Sequence, residues 1–341
     1  MGIEGTELLN DLRITRHKAD VNGRTYQYIL GLPTGDSKDT IFLIHGWPDI
    51  SIGWRNQIPL LVDMGLRVVV PDMMGYGGTD APPVPENSLS YYTFKRAADD
   101  VKELAKQLGS SHIMIGGHDW GGAVVYRVLL WHPELVKSVI AVCTPYQPPA
   151  KEFIPLEMIV KKYFPNWGYQ LQLKSGEVEK VINSREKIRQ FLNTMYGGRT
   201  PNGKPGFSTN QGLIFENLGS TGPTPLLTVQ EMDYYVDQYS NHGIHGTLNW
   251  YRTREQNFKD ELDDPHFEDP MLKVPILFIS ASKDAALPPA MSMGMNKFIP
   301  NLTRREVHAG HWALWEAKDA VNAAIKEWIE RAIWAAGKST L

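Results

Sequence analysis

Residues 113–125, IMIGGHDWGGAVV, govern how the rest of the chain is read. An apolar, β-branched run enters a pair of glycines, a single acidic residue stands at position 119, and further glycines and small apolar residues follow. Strand, tight turn with small residues on either side of its apex, then helix: that order describes a nucleophile elbow. The apex residue is forced into a strained conformation, and only small neighbours let the two backbones approach. Gly117, Gly121 and Gly122 supply the small positions around Asp119, HIMIG supplies the strand and AVVYRVLLWH the helix. An aspartate at a helix start is also an ordinary cap, and a glycine-rich turn after a strand also describes a phosphate loop. The surrounding sequence has to choose between these.

Outward from this stretch, TIFLIHG, LRVVVPD, HIMIGG, VKSVIAVCT and VPILFIS are short, nearly continuous apolar runs that end in Gly, Pro, Asp, Thr or Ser. Such runs are expected of strands covered on both faces. Between them, TFKRAADDVKELAKQL has apolar residues at helical spacing and charges elsewhere, so the spacing predicts a mainly parallel α/β sheet with helices on its faces. ITRHKADV and RTYQYIL flank Asn22–Gly23 and predict an antiparallel hairpin. From residue 146 to residue 267 the strand rhythm stops. VEKVINSREKIRQFLNTMY and TVQEMDYYVDQYS are helical candidates there, and GGRTPNGKPGFSTNQG (197–212) is an irregular excursion with no assigned role. The expected organisation is a core of residues 1–145 and 268–341 with a mostly helical cap, 146–267, inserted over the sheet edge.

Bulk composition narrows the function. Hydrophobic residues make up 42% of the 341, charged residues 21%, and the formal net charge is -3. Those values argue against disorder and against a nucleic-acid partner. Cys143 is the only cysteine, which rules out an intrachain disulfide and fits a reducing, cytoplasmic setting with Cys143 as a small core residue. The first dozen residues carry Glu4, Glu7 and Asp11 in place of a continuous apolar secretory segment, and no run reaches the ~18 apolar residues of a membrane span. A homodimer is compatible with this composition.

Three further motifs surround the elbow. HGWPD (45–49) follows an earlier strand and is similar to the HGxP loop of α/β-hydrolases. It would aim the backbone N–H of Trp47, together with that of Trp120, at one oxygen, with Trp47, Pro48 and Trp120 forming part of an apolar substrate pocket. Trp47–Pro48 is a candidate cis peptide. HAGHWALWEA offers His311 just before a helix. His308 and His311 are three apart, whereas a helix-borne zinc pair needs a spacing of four with a glutamate between, so His311 reads as a base. SKDAALPP puts Asp284 in the loop after a core strand, and the loop CTPY after the preceding strand holds no acid. Asp119, Asp284 and His311 then stand in the chain order nucleophile, acid, histidine.

An aspartate nucleophile points to one kind of chemistry. A serine attacking saturated carbon would leave an ether that water and imidazole do not cleave. A carboxylate leaves an ester, whose carbonyl a His311-activated water attacks while the oxyanion loop takes up the charge. Displacement at sp³ carbon suits either an epoxide, whose departing alkoxide needs a hydroxyl donor such as tyrosine, or a haloalkane, whose halide needs only N–H donors such as indoles. The residues of the core leave both open.

Taken together, HGWPD, DMMGYGGTD, GGHDWGG, GYQLQL, LNWYR, SKDAALP and GHW resemble the soluble epoxide hydrolases of the α/β-hydrolase fold, over nearly all of the chain after the hairpin. The resemblance implies that Tyr169 in GYQLQL and Tyr251 in NWYR hold the epoxide oxygen. It also implies a small-molecule epoxide substrate, a vicinal diol product, and no cofactor or metal. The competing expectations are a haloalkane dehalogenase with the same Asp-His-Asp triad, a non-catalytic receptor of this fold, and a metal-dependent hydrolase built from His45, His118, Asp119 and His311.

Overall fold

Asn22 and Gly23 both take positive φ, 51° and 74°, the geometry that lets a two-residue Asn-Gly turn match the twist of its flanking strands. The turn joins β1 (Ile14–Val21) to β2 (Arg24–Gly31) in antiparallel register. The Asn22 amide and the Tyr26 hydroxyl both donate to the buried Asp100 of helix Phe94–Gln107, so this aspartate is satisfied by hydrogen bonds and by Arg96. The computed structural model describes residues 7–262 and 264–335. Glu4 of the acidic N-terminal segment and Asp263 lie outside the described residues.

The five apolar runs become β3 (Asp39–Ile44), β4 (Leu66–Pro71), β5 (Ile113–His118), β6 (Val136–Val142) and β9 (Ile276–Ala281), and the charged stretch LTRREV adds β10 (Leu302–Val307). With β1 and β2 they form an eight-stranded sheet of order β1-β2-β4-β3-β5-β6-β9-β10, parallel from β4 onward. β3, β5, β6 and β9 lie inside the sheet and are buried almost throughout, which is why they read as continuous apolar runs. After β3 the chain turns to β4 on one side, and β5 then takes the other side of β3. The order therefore reverses at β3/β5, where the crevice at the carboxyl ends of an open α/β sheet is found.

Two compact units make up the chain. Asp11–Met73, Phe94–Pro149 and Glu261–Leu341 form the sheet unit, and the other contains Met1–Asn10, Met74–Thr93 and Ala150–Asp260. Within the second unit, Met74–Thr93 is tied in by the Trp250 indole donating to Met74 O at 2.9 Å and by the Asn241 amide donating to Gly77 O at 3.1 Å. The stretch VEKVINSREKIRQFLNTMY is two helices, Glu177–Val181 and Arg185–Met195. Ser184 interrupts it because its hydroxyl accepts from Lys187 N and caps the second helix. TVQEMDYYVDQYS forms helix Val229–Ser240 behind a capping box of Thr228 and Glu231. The 197–212 excursion is not wholly irregular. It contains β7 (Phe207–Ser208), which pairs antiparallel with β8 (Gly212–Leu213), and an Arg199–Pro205 bridge. Among the described residues, no helix is long and apolar enough to cross a membrane.

Candidate active site

β5 ends at His118, and Asp119 follows at φ 54°, ψ −123° before helix Trp120–Trp131 begins. A non-glycine residue holds such a conformation, at a cost of about 1–3 kcal/mol, only when its surroundings impose it. Those surroundings are visible. A Cβ at Gly121 would lie 2.1 Å from Ile44 O, and one at Gly46 would lie 2.4 Å from the Asp119 Cβ. The ends of β3 and β5 thus approach more closely than any larger residue allows. The Asp119 carbonyl is held by the Thr144 hydroxyl at 2.6 Å and by Gly122 N at 2.9 Å.

The Asp119 carboxylate meets two groups. Trp47 N donates to its Oδ2 at 3.0 Å, and His311 Nε2 lies 3.3 Å from Oδ1. His311 Nδ1 in turn lies 2.8 Å from Asp284 Oδ2, while Asp284 Oδ1 accepts from Ala286 N and Leu287 N, each at 2.9 Å. Asp119, His311 and Asp284 are therefore brought together from three strand ends, β5, β10 and β9. Trp47 is buried, and Pro48 follows it across a cis peptide; Val84–Pro85 is also cis. Trp120 opens the helix after the elbow with its ring 5.8 Å from that of Phe94.

The charges in this cluster are strongly coupled. Burial works against ionisation of Asp119, yet His311 on one side and the Trp47 N–H hold its carboxyl below the usual range. Burial likewise opposes ionisation of Asp284, but the His311 charge and the two loop N–H groups bring it down to about 2. Burial would deprotonate His311, whereas Asp284 and Asp119 together raise its pKa well above that of a free imidazole. The two carboxylates that flank the His311 ring favour its protonated form.

Several residues support the triad through backbone atoms, in roles that the sequence did not indicate. His118 Nε2 lies 2.8 Å from the His311 carbonyl, and the Cys143 thiol reaches the same oxygen at 3.6 Å. Burial and the neighbouring His311 charge push His118 down to about 4, so it stays neutral and donates. Glu316 accepts from Gly310 N and Trp312 N, bracketing His311. His45 Nε2 accepts from Met73 N at 2.9 Å, which leaves its Nδ1–H to donate to Gly46 O and stiffen the HGWP turn. Cys143 does lie buried, as expected of a core residue, but at φ 65° beside the triad.

Among the described residues, the side chains close enough to share a metal ion are His118, Cys143 and His311, a set without His45, Asp119 or His308. His308 is exposed and contacts Ser282. His118 and Cys143 already serve the His311 carbonyl, and both His311 nitrogens face carboxylates, so these groups are engaged as they stand.

In the helical unit, Tyr169 and Tyr251 are both buried, and their rings meet edge to face with centroids 6.1 Å apart. Tyr169 stands in the first turn of helix Gly168–Lys174, and Tyr251 ends the short turn Asn249–Tyr251. Eighty-two residues apart in sequence, the two positions named by the resemblance are neighbours in space.

A family model described as alpha/beta hydrolase fold matches residues 39–318. The chain is 38% identical over 337 residues to epoxide hydrolase srdG of Neurospora crassa, covering 94% of this chain and 97% of that protein. It is 32% identical over 313 residues to bifunctional epoxide hydrolase 2 of Rattus norvegicus, covering 87% of this chain and 52% of the longer rat protein. The crystal structure of epoxide hydrolase A from Mycobacterium thermoresistibile superposes with a TM-score of 0.78 at 26% identity, covering 93% of this chain and 98% of that one. The chain belongs to the α/β-hydrolase-fold family and, within it, to the epoxide hydrolases.

Proposed function

We propose that this enzyme converts epoxides and water to vicinal diols through a covalent ester on Asp119. The observation that carries the proposal is a carboxylate at a strained strand end, flanked by a backbone N–H and by a histidine that a second carboxylate orients. Asp119 is the nucleophile. One Oδ attacks an epoxide carbon from behind, the C–O bond breaks, and the departing alkoxide takes a proton from Tyr169 or Tyr251. Residues 146–267 act as the cap that brings these hydroxyls to the epoxide oxygen.

Esterification removes the Asp119 charge and with it part of what keeps His311 protonated. His311 then gives up its proton, which can repay the tyrosinate, and becomes the base that takes a proton from water. Hydroxide adds to the ester carbonyl, and the N–H groups of Trp47 and Trp120 receive the oxyanion. Collapse expels the diol alkoxide, which takes the remaining proton of the added hydroxide, so that the diol leaves, Asp119 is a carboxylate again and His311 keeps the proton taken from water. Apolar contacts from Trp47, Pro48 and Trp120 hold the carbon skeleton. The cycle needs no cofactor, and a single buried cysteine suits a cytoplasmic enzyme.

One turnover in heavy-oxygen water with enzyme in excess tests the route. Label is expected in the Asp119 carboxylate and not in the first diol. Label entering that diol directly would replace the ester by attack of water on the epoxide. Diol formation from styrene oxide without halide release from a bromoalkane separates this reading from dehalogenation, which the paired tyrosines disfavour.

A further inference from the structure

The 197–212 excursion is joined to the helix that carries Tyr169 at several points, all within the helical unit. Tyr169 N is one of the first-turn donors that a helix cannot satisfy itself, and it donates to Thr209 O at 3.0 Å. A Cβ on Gly168 would lie 2.0 Å from Asn210 O, so this close approach depends on glycine. The Phe207 ring meets the Tyr169 ring edge to face at 5.6 Å and 71°. One turn further on, Gln172 forms a reciprocal pair with the Leu213 backbone. Its Nε2 donates to Leu213 O at 3.0 Å, and Leu213 N donates to its Oε1 at 2.7 Å. Residues three apart lie on one face of a helix, so Tyr169 and Gln172 address the excursion together.

The opposite end of this helix is tied by Arg252 to the short turn that carries Tyr251. Arg252 Nε donates to Lys174 O at 3.2 Å, and its Nη1 donates to Asn249 Oδ1 at 2.7 Å. The Tyr169 ring therefore meets Phe207 on one hand and Tyr251 on the other, on a helix fixed at both ends.

We infer that the excursion is a clamp for the ring-opening step, with Phe207 and Gln172 as positioning residues that set the Tyr169 hydroxyl. The inference rests on the reading that Tyr169 holds the epoxide oxygen. A proton donor acts only within hydrogen-bond reach of the atom it serves, and misplacing a reacting group by about 1 Å costs up to about a hundredfold in rate. Loosening the clamp should therefore slow formation of the Asp119 ester and leave its hydrolysis, which uses no tyrosine, unchanged.

Rapid-quench measurements with enzyme in excess resolve the two steps for Phe207→Leu, Gln172→Ala, Phe207→Tyr and Tyr169→Phe. Ester formation is expected to fall about tenfold or more in Phe207→Leu and in Gln172→Ala, with ester hydrolysis at the wild-type rate and with Phe207→Tyr restoring ester formation. Gln172→Ala keeps the test open should Phe207→Leu fail to fold. Normal ester formation in folded Phe207→Leu and Gln172→Ala, alongside slowed formation in Tyr169→Phe, would overturn the clamp while sparing the role of Tyr169. Equal slowing of both steps would also overturn it, as a general structural effect. Normal ester formation in Tyr169→Phe would remove the role of Tyr169 itself, and the clamp with it.

Discussion

Around Asp119 the reacting groups are charged and are held by backbone atoms at the ends of buried strands, whereas Tyr169 and Tyr251 are neutral and meet through ring edges on short helical turns. Charge and strain fix the first region. The elbow imposes φ 54° on Asp119, and two carboxylates favour the protonated form of His311. Shape fixes the second. The first region should therefore answer to removal of a charge and to pH, the second to changes of packing or of a single hydroxyl, and each should disturb a different chemical step.

The largest separation is expected from Asp284→Asn. Without that carboxylate His311 loses its orientation and much of the stabilisation of its charged form, so ester hydrolysis should slow by up to about 10⁴-fold, the scale seen when the orienting acid of a serine triad is neutralised. Ring opening should slow far less, and rapid quench should show the ester accumulating. Should both steps slow equally, the assignment of Asp284 to the second step alone is wrong.

The double variant Tyr169→Phe, Tyr251→Phe should do the reverse. Loss of both donors should slow ester formation by about 10²- to 10⁴-fold, the usual contribution of general acid catalysis, while the fold and the hydrolysis of any ester formed stay unchanged. Near-normal diol formation from styrene oxide in this variant would show that the ring pair is packing alone.

A smaller contrast is expected in pH dependence. Asp119 is held below the usual carboxylate range, so ester formation should be flat from about pH 5 to pH 8. Ester hydrolysis needs neutral His311 and should fall on the acid side, with a slope of about tenfold per pH unit. Stability carries a matching sign. The folded pKa of Asp284, about 2, lies below its ordinary 3.8, so its contribution is complete above 3.8 and is lost as pH falls towards 2. The Tm gap between wild type and Asp284→Asn should narrow over that window, and a gap that widens there would contradict the pairing.

The same contrast explains what was legible in the sequence. Asp119 and Asp284 follow buried strands, and such strands stand out as apolar runs ending at turn residues, whereas His311 follows the charged edge strand β10 and was marked by its GHW context and its place last in the chain order. The tyrosines have no such marker. Eight tyrosines lie between residues 146 and 251, and helical spacing does not tell one that packs from one that reacts, so only the GYQLQL and NWYR contexts singled out two. The supporting roles of Thr144, His118 and Glu316 were not legible because their partners are carbonyl and amide groups of any residue type, and His118 was singled out only as a candidate metal ligand. β7 and β8 were silent because two-residue strands have no period to read.

The central claim is that the Asp119 carboxylate becomes an ester, and intact-protein mass spectrometry of His311→Gln tests it most directly. With no base to activate water, the ester should accumulate after addition of an epoxide. The account predicts a mass gain equal to one epoxide molecule, mapped by peptide analysis to Asp119. An unmodified mass for His311→Gln while the epoxide is still consumed to diol would contradict it.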